Sequence, residues 1–172
     1  MRRREAVLAG LAVLCLAAAQ NAAPAKAETV QQKAKRHGMA KAPAGDPAML
    51  AAFARAQRTL DGFVEALDGG LPGAGAFSVK IAVADRGKTE YFWINGLSHV
   101  GSRFSGTVNN RPEIVENVTF GQKLTFPRSQ IRDWSYVKDG RMQGSFTTCV
   151  LLGREDPVQA RELKAQIGLI CE

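Results

Sequence analysis

The chain has 172 residues, of which 45% are hydrophobic and 23% are charged, and its formal net charge is +7. This length suits one core, since domains usually hold ~100–200 residues, and the ordinary composition excludes wholesale disorder and a polytopic membrane protein. The surplus of positive charge lies at the amino terminus, because residues 46–172 carry 15 basic against 14 acidic side chains. A nearly neutral domain lacks the broad basic surface that binds phosphates, so we expect no nucleic-acid partner.

Residues 1–27 have the layout of a secretory signal peptide. An arginine-rich start precedes an unbroken apolar run at 6–19, and Ala25–Ala27 places small residues around a cleavage point. The run is shorter than the ~20 residues that a membrane-spanning helix needs, so we expect no stable membrane anchor after cleavage. We predict cleavage after Ala27 and a periplasmic or secreted protein. The consecutive arginines leave both the general secretory and the twin-arginine routes open.

Export changes the interpretation of the two cysteines that the mature chain retains. Cys149 and Cys171 remain after cleavage, and disulfides persist in oxidising compartments. The compartment and the even number of cysteines predict a disulfide between these two residues. Two buried free thiols are the alternative that the residues leave open.

Two segments precede the first predicted strand. Residues 28–45 contain almost no large apolar side chain, and such a segment buries too little surface to offset its ordering entropy, which predicts a flexible basic leader. Asp46 and Pro47 then form a helix-start signal. Apolar residues recur at three- and four-residue steps as far as Leu67, so we predict one amphipathic helix that ends near Asp68.

The rest of the chain has the pattern of strands followed by a helix. From Phe77, apolar residues alternate with small or polar ones, and turn-forming residues separate the apolar segments. We predict strands at 77–84, 89–94, 104–108, 123–126, 134–137 and 142–152. Asp156 and Pro157 repeat the helix-start signal and predict a short helix that ends at Gly168. The prediction is an α+β fold in one domain, 46–172: a curled antiparallel sheet of five or six strands with an N-terminal amphipathic helix and a short C-terminal helix.

Several of these segments resemble one known family. The segments are Thr59-Leu60, Glu90–Ile94, Phe104–Asn110 with Pro112, Gly121, and Ile131–Tyr136 followed by Gly140 and Gly144. Over about residues 47–152 the chain resembles the YegJ-like domain of unknown function, a group of small bacterial proteins. The segment Asp133–Tyr136 with its following glycines is the most specific part of the resemblance. No activity is established for that family, so the resemblance implies no mechanism.

Candidate catalytic groups are few. His37 lies in the predicted leader, so His99 would have to centre any catalytic triad, and Cys149 would serve as its nucleophile only as a free thiol. Two histidines also exclude a multi-histidine metal site, and we expect no metal and no cofactor. Glu90 and Asp133 are the acids inside the family-like segments, and two carboxylates in different environments can divide acid and base roles. They define an enzyme hypothesis.

Aromatic pairs suggest a binding surface instead. Tyr91 and Trp93 are separated by one residue, as are Trp134 and Tyr136, so each pair shares one face of its strand. On the inner face these rings would belong to the core; on the outer face they would form a platform for a peptide or glycan. The candidate binding residues are Trp93, Trp134, Tyr136, Asn109, Asn110 and Arg111.

The leading hypothesis is therefore a non-catalytic binding or interaction module of the cell envelope. It depends on the missing catalytic constellation and on the aromatic pairs. The competing hypothesis is an enzyme of unknown reaction that uses Glu90 or Asp133.

Overall fold

The computed structural model describes residues 45–171 as an open, six-stranded antiparallel sheet with helices. The predicted signal peptide and the predicted leader, apart from Gly45, lie outside this range. The helices are α1 (Pro47–Arg58), α2 (Leu60–Glu65), α3 (Phe146–Leu152) and α4 (Pro157–Ile167). The strands are β1 (Ala74–Asp85), β2 (Lys88–Val100), β3 (Arg103–Val108), β4 (Lys123–Pro127), β5 (Ile131–Lys138) and β6 (Arg141–Gly144). Their order in the sheet is β4-β3-β2-β1-β5-β6, which confirms the predicted α+β class.

The first helical segment begins as the sequence predicts. The Asp46 carboxylate accepts a hydrogen bond from the Met49 backbone N–H at 2.9 Å, and Pro47 occupies the first helical position, where its missing N–H costs nothing. The helix is interrupted at Thr59, so α1 and α2 replace the single predicted helix. A wide turn over Ala66–Gly70 then leads into the sheet.

One face of the sheet, here called the core face, carries the main hydrophobic core. The helices α1 and α2 pack on it together with two valines from the β3–β4 loop. The largest fully buried side chains include Leu60, Phe63, Ile81, Phe92, Ile94, Phe104, Phe126 and Ile131. Burying each such side chain stabilises the fold by about 1.5–3 kcal/mol relative to leaving it exposed. The indole of Trp134 joins this core and donates a hydrogen bond to the Ala56 carbonyl at 3.1 Å.

The opposite face, here called the polar face, has a different composition. Lys80 of β1 lies opposite both Trp93 of β2 and Asp133 of β5 in the strand register. Directly opposed residues project to the same side of a sheet, so these three side chains share the polar face. A second, smaller hydrophobic cluster joins α3 and α4 to Met142 of β6.

Two predicted boundaries in β2 and β1 are wrong. Asn95 and Gly96 do not end β2, which continues to Val100 through a bulge between Asn95 and Ser98. Gly96 has a φ of +61°, which suits a bulge as well as a turn, and pairing with β3 decides between them. β1 likewise begins at Ala74 rather than Phe77 and carries its own bulge.

The prediction of a strand at 142–152 is also wrong in its second half. β6 ends at Gly144, and Phe146–Leu152 forms α3. Gly144 and Ser145 both have positive φ, of +76° and +52°, which turns the chain out of the sheet. A side chain at Gly144 would overlap the Trp134 carbonyl oxygen. The β-branched residues of this segment favoured a strand locally, but contacts with β5 determine a helix.

The structure contains the predicted disulfide. Cys149 in α3 is bonded to Cys171, and their Cα atoms are 5.6 Å apart. The bond ties α3 to the segment that follows α4. In that segment Leu169 pairs with Met142 of β6. The disulfide therefore also holds the residues after α4 beside β6.

Removing this disulfide is expected to destabilise the protein. Replacing both Cys149 and Cys171 with alanine should lower the free energy of unfolding by about 3 kcal/mol, because a closed loop restricts the unfolded chain. Urea denaturation of the mature protein measures the change, and wild type treated with a reducing agent should lose a similar amount. Equal stability of the double variant and the oxidised wild type would contradict the expectation.

Candidate functional site

A cleft of about 540 Å³ opens on the polar face. Its walls come from β1, β2, β5 and β6, from the start of α3, and from Leu67 and Asn109. Its polar lining residues are Ser78, Asn95, Asn109, Ser135, Ser145 and Thr148, and none of the residues that line it carries a charge. The volume lies within the range of roughly 300–1,000 Å³ that is usual for small-molecule sites.

A buried polar network beside the cleft fixes its α3 wall. Lys80 donates a hydrogen bond to the Thr147 hydroxyl, which donates to the Asp133 carboxylate at 2.6 Å. The Lys80 ammonium also lies 4.8 Å from the centre of the Trp93 ring. Burial lowers the pKa of Lys80 and raises the pKa of Asp133, and the charge of each residue opposes the shift of the other. Asp133 is fully buried and Lys80 is half-buried, so removing Lys80 would leave the buried Asp133 charge uncompensated.

Asp133 acts as the cap of α3. Its carboxylate accepts backbone N–H groups from Phe146 at 3.2 Å and Thr147 at 2.8 Å, in addition to the Thr147 hydroxyl. It also accepts the N–H of Trp134 at 2.9 Å. The residue is fully buried, and these donors are the kind that let a carboxylate exist away from water.

Glu90 of β2 stabilises the β3–β4 loop in a similar way. Its carboxylate accepts backbone N–H groups from Glu113 at 2.9 Å, Ile114 at 2.8 Å and Val115 at 3.1 Å. Asp85 accepts a further N–H from Glu116 at 2.9 Å. These bonds fasten the loop to β1 and β2.

The two acids do not form a catalytic pair. Glu90 lies three positions before Trp93 on a regular strand, so its side chain projects from the face opposite to that of Asp133. His99 also lies in β2, where it contacts Asp68 and the ring of Phe104. Since Cys149 is bonded to Cys171, a cysteine–histidine pair is not formed either.

The predicted aromatic platform is divided between the two faces. Trp93 and Trp134 are only 6% and 8% exposed, and they project in opposite directions because Trp134 lies opposite Val79, not Lys80. Trp134 and Tyr136 stack at 5.7 Å on the core face. Of the predicted aromatic binding residues, the cleft contains Trp93 alone.

The predicted polar binding residues are divided as well. The Asn110 side chain accepts the Trp93 N–H at 2.8 Å and donates to the Tyr91 carbonyl at 3.4 Å, so it extends the ladder along β2. Arg111 lies over the ring of Phe120 at 5.4 Å. Asn109 is the member of this group that lines the cleft.

Of the residues that line the cleft, the prediction contained Trp93 and Asn109 and missed the others, among them Ser135 and Thr148. Ser135 lies inside the most specific family-like segment, two positions after Asp133, so strand alternation alone places both on one face. Thr148 had no comparable signal, because its position depends on α3. Among residues 45–171, no group of three or more histidine, cysteine or acidic side chains is placed to hold a metal, and none of the helices in that range is long and apolar enough to cross a membrane.

The fold and the site define a small α+β domain with an uncharged cleft and no converging catalytic acids. The chain belongs to the bacterial family described as an uncharacterized protein conserved in bacteria (DUF2314), whose profile matches residues 46–170. It is 32% identical over 120 residues to the uncharacterized protein YegJ of Escherichia coli strain K12, covering 70% of this chain and 77% of that protein. The family resemblance is therefore confirmed.

A second relative matches a smaller part of this chain. Over 80 residues the chain is 30% identical to a putative ankyrin repeat protein of Neisseria meningitidis serogroup B, covering 46% of this chain and 32% of that protein. No solved structure matches this chain.

The His99–Asp68 pair predicts a pH dependence of stability. The Asp68 carboxylate lies 2.8 Å from the His99 ring and, with the Gly101 carbonyl, raises the pKa of His99. Stability from this pair is fully present below the unfolded pKa of about 6.5 and is lost as the pH rises through the raised folded pKa. Asp68→Asn should therefore lower the free energy of unfolding, by up to about 1 kcal/mol, more at about pH 5.5 than at about pH 8.5.

Urea denaturation at the two pH values measures this difference. Glu116→Gln is the matched control, because Glu116 pairs with Arg86, which stays charged throughout this range, and neither residue is among the groups that shift the pKa of His99. Its effect should be the same at both pH values. An equally constant effect of Asp68→Asn would show that His99 does not titrate against Asp68.

Proposed function

We propose that the protein is exported, is cleaved after Ala27, and acts in the periplasm or outside the cell as a non-catalytic binding module. The layout of residues 1–27 supports export. The Cys149–Cys171 disulfide supports the same compartment, since such bonds form and persist in oxidising environments.

The cleft on the polar face is the proposed binding site. The observation that carries this proposal is the hydrogen bonding of two cleft hydroxyls, those of Ser135 and Thr148. These residues are 6% and 7% exposed, and neither hydroxyl takes part in the hydrogen bonds found within residues 45–171. Hydroxyl groups that make no bond within the protein are available to a molecule in the cleft. A ligand that enters the cleft can hydrogen-bond to both of them.

The enzyme hypothesis has weaker support. The carboxylates of Glu90 and Asp133 are both engaged by backbone N–H groups that hold a loop or a helix in place. A general acid or base must reach the proton that it transfers, and hydrogen bonds already surround these two groups. We therefore favour binding without catalysis.

Export has a direct test in a Gram-negative host that produces the full chain. We expect the protein in the periplasmic fraction or the medium, with a mass that corresponds to a first residue of Glu28. Leu14→Arg, which interrupts the apolar run, should leave the uncleaved chain in the cytoplasm. Recovery of the wild-type chain from the cytoplasm with Met1 still attached would refute this part of the proposal.

Binding in the cleft has a separate test with the mature domain. Val137 lines the cleft, whereas Lys138 is next to it on the strand and points to the other side. Val137→Trp should fill the cleft, and Lys138→Trp adds the same bulk elsewhere. We expect a binding ligand to raise the melting temperature of wild type and of Lys138→Trp, but not of Val137→Trp.

The ligand panel contains three chemical classes. They are uncharged oligosaccharides (chitotetraose, cellotetraose, maltotetraose and mannotetraose), the anionic tetragalacturonate, and an end-capped tetra-alanine peptide. Circular dichroism first establishes that both variants are folded. If no ligand stabilises the wild type, or if Val137→Trp responds like the wild type, the cleft is not the binding site.

A further inference from the structure

The unpaired hydroxyls of the cleft contrast with their direct neighbours. The hydroxyl of Thr147 is bonded to Asp133, and that of Ser145 donates to the Met142 sulfur at 3.4 Å. Ser135 and Thr148, which also line the cleft, make no such bond within the described part of the chain. Hydroxyl groups both donate and accept. The cleft wall therefore has two hydroxyl groups, each of which can donate a hydrogen bond to a ligand or accept one from it.

Asn95 adds a donor to these hydroxyls. Its side-chain oxygen accepts a hydrogen bond from the Ser78 hydroxyl at 2.7 Å, which orients the amide. The amide nitrogen makes no hydrogen bond to any residue in the 45–171 range. Because Asn95 lines the cleft, this nitrogen provides N–H donors to a bound molecule.

The lack of charged side chains in the lining of the cleft argues against an ionic ligand. None of its lining side chains is charged, and the Lys80 ammonium is already held by Thr147 and the Trp93 ring. An anion or cation would lose its hydration here without gaining an opposite charge. An uncharged polar ligand has a smaller desolvation cost, which hydrogen bonds to the lining side chains offset.

The position of the cleft in the sheet argues against an extended peptide. β1, β2 and β5 each have a partner strand on both sides, and Met142 of the edge strand β6 is hydrogen-bonded to Gly168 and Ile170 on its outer side. A peptide on this face therefore finds no free strand edge to pair with at the cleft. Its backbone N–H and C=O groups would depend on a few side chains. A saccharide instead carries many hydroxyl groups, each of which matches the donor and acceptor capacity of hydroxyl and amide side chains.

The apolar part of the lining completes the match to a sugar. Trp93, Leu97, Val137 and Met142 face the cleft, and they provide contact for the C–H groups of a sugar ring. Resting on the proposed function, we infer that the cleft binds an uncharged saccharide, whose hydroxyl groups hydrogen-bond to Ser135, Thr148 and Asn95.

The test separates binding from structural effects. Ser135→Ala and Thr148→Val remove one hydroxyl each and retain most of the volume. We expect each to weaken binding of the uncharged oligosaccharide that stabilises wild type most, by about tenfold, in tryptophan-fluorescence titrations. Neither should lower the free energy of unfolding, because the removed hydroxyl had no partner in the protein.

Matched substitutions outside the cleft control for the chemistry of the change. Ser102→Ala and Thr89→Val alter exposed residues and should leave the affinity unchanged. Unaltered affinity in both Ser135→Ala and Thr148→Val would overturn the inference, as would a loss of stability that matches the loss of binding.

The same titrations distinguish failure of the inference from failure of the proposed function. Binding of tetragalacturonate or tetra-alanine, abolished by Val137→Trp, with no response to any uncharged oligosaccharide, would retain the binding site and refute the saccharide. If no member of the panel binds at millimolar concentration, both the site and its ligand class are wrong.

Discussion

The buried Asp133 carboxylate is the constraint on which the rest of the structure depends. It accepts hydrogen bonds from the backbone of Trp134, Phe146 and Thr147 and from the Thr147 hydroxyl. A buried charge is tolerated only when such donors and an opposite charge compensate it, and Lys80 provides that charge. Because two of the donor residues begin α3, the carboxylate fixes this helix beside the sheet. The helix then forms one wall of the cleft.

The polar residues of the family-like segments mainly build the framework. Glu90 holds the β3–β4 loop by accepting three successive backbone N–H groups, and Asn110 continues the hydrogen-bond ladder of β2 after β3 has ended. These groups use their hydrogen-bonding capacity inside the protein, so little of it remains for a substrate. The side chains with unused capacity are in the cleft, where Ser135 and Thr148 are buried and uncharged. Recognition through neutral hydrogen bonds is the chemistry that this arrangement favours.

Predictions from the sequence succeeded for elements with strong local signals and failed where distant residues decide. The two Asp-Pro helix starts are present, at Asp46 and Asp156, because a cap needs only the residues next to it. The strands predicted at 77–84 and 89–94 are also present, within β1 and β2, which pair with each other. Phe146–Leu152 is a helix instead of the second half of the strand predicted at 142–152, and this helix depends on a carboxylate from β5. The bulge at Asn95 and Gly96 likewise depends on pairing with β3.

The sequence by itself determined the α+β class and the helix starts, because local propensity and alternation carry that information over short stretches of chain. It also contained the segments that resemble the family, and its cysteine number predicted the Cys149–Cys171 disulfide over the alternative of two free thiols. Only the tertiary structure decided that Trp93 and Trp134 lie on opposite faces and that Ser135 meets Thr148 in one cleft. Strand register sets the face of every side chain, since a slip of one residue reverses it. That register arises from contacts between residues far apart in the chain, which no local pattern contains.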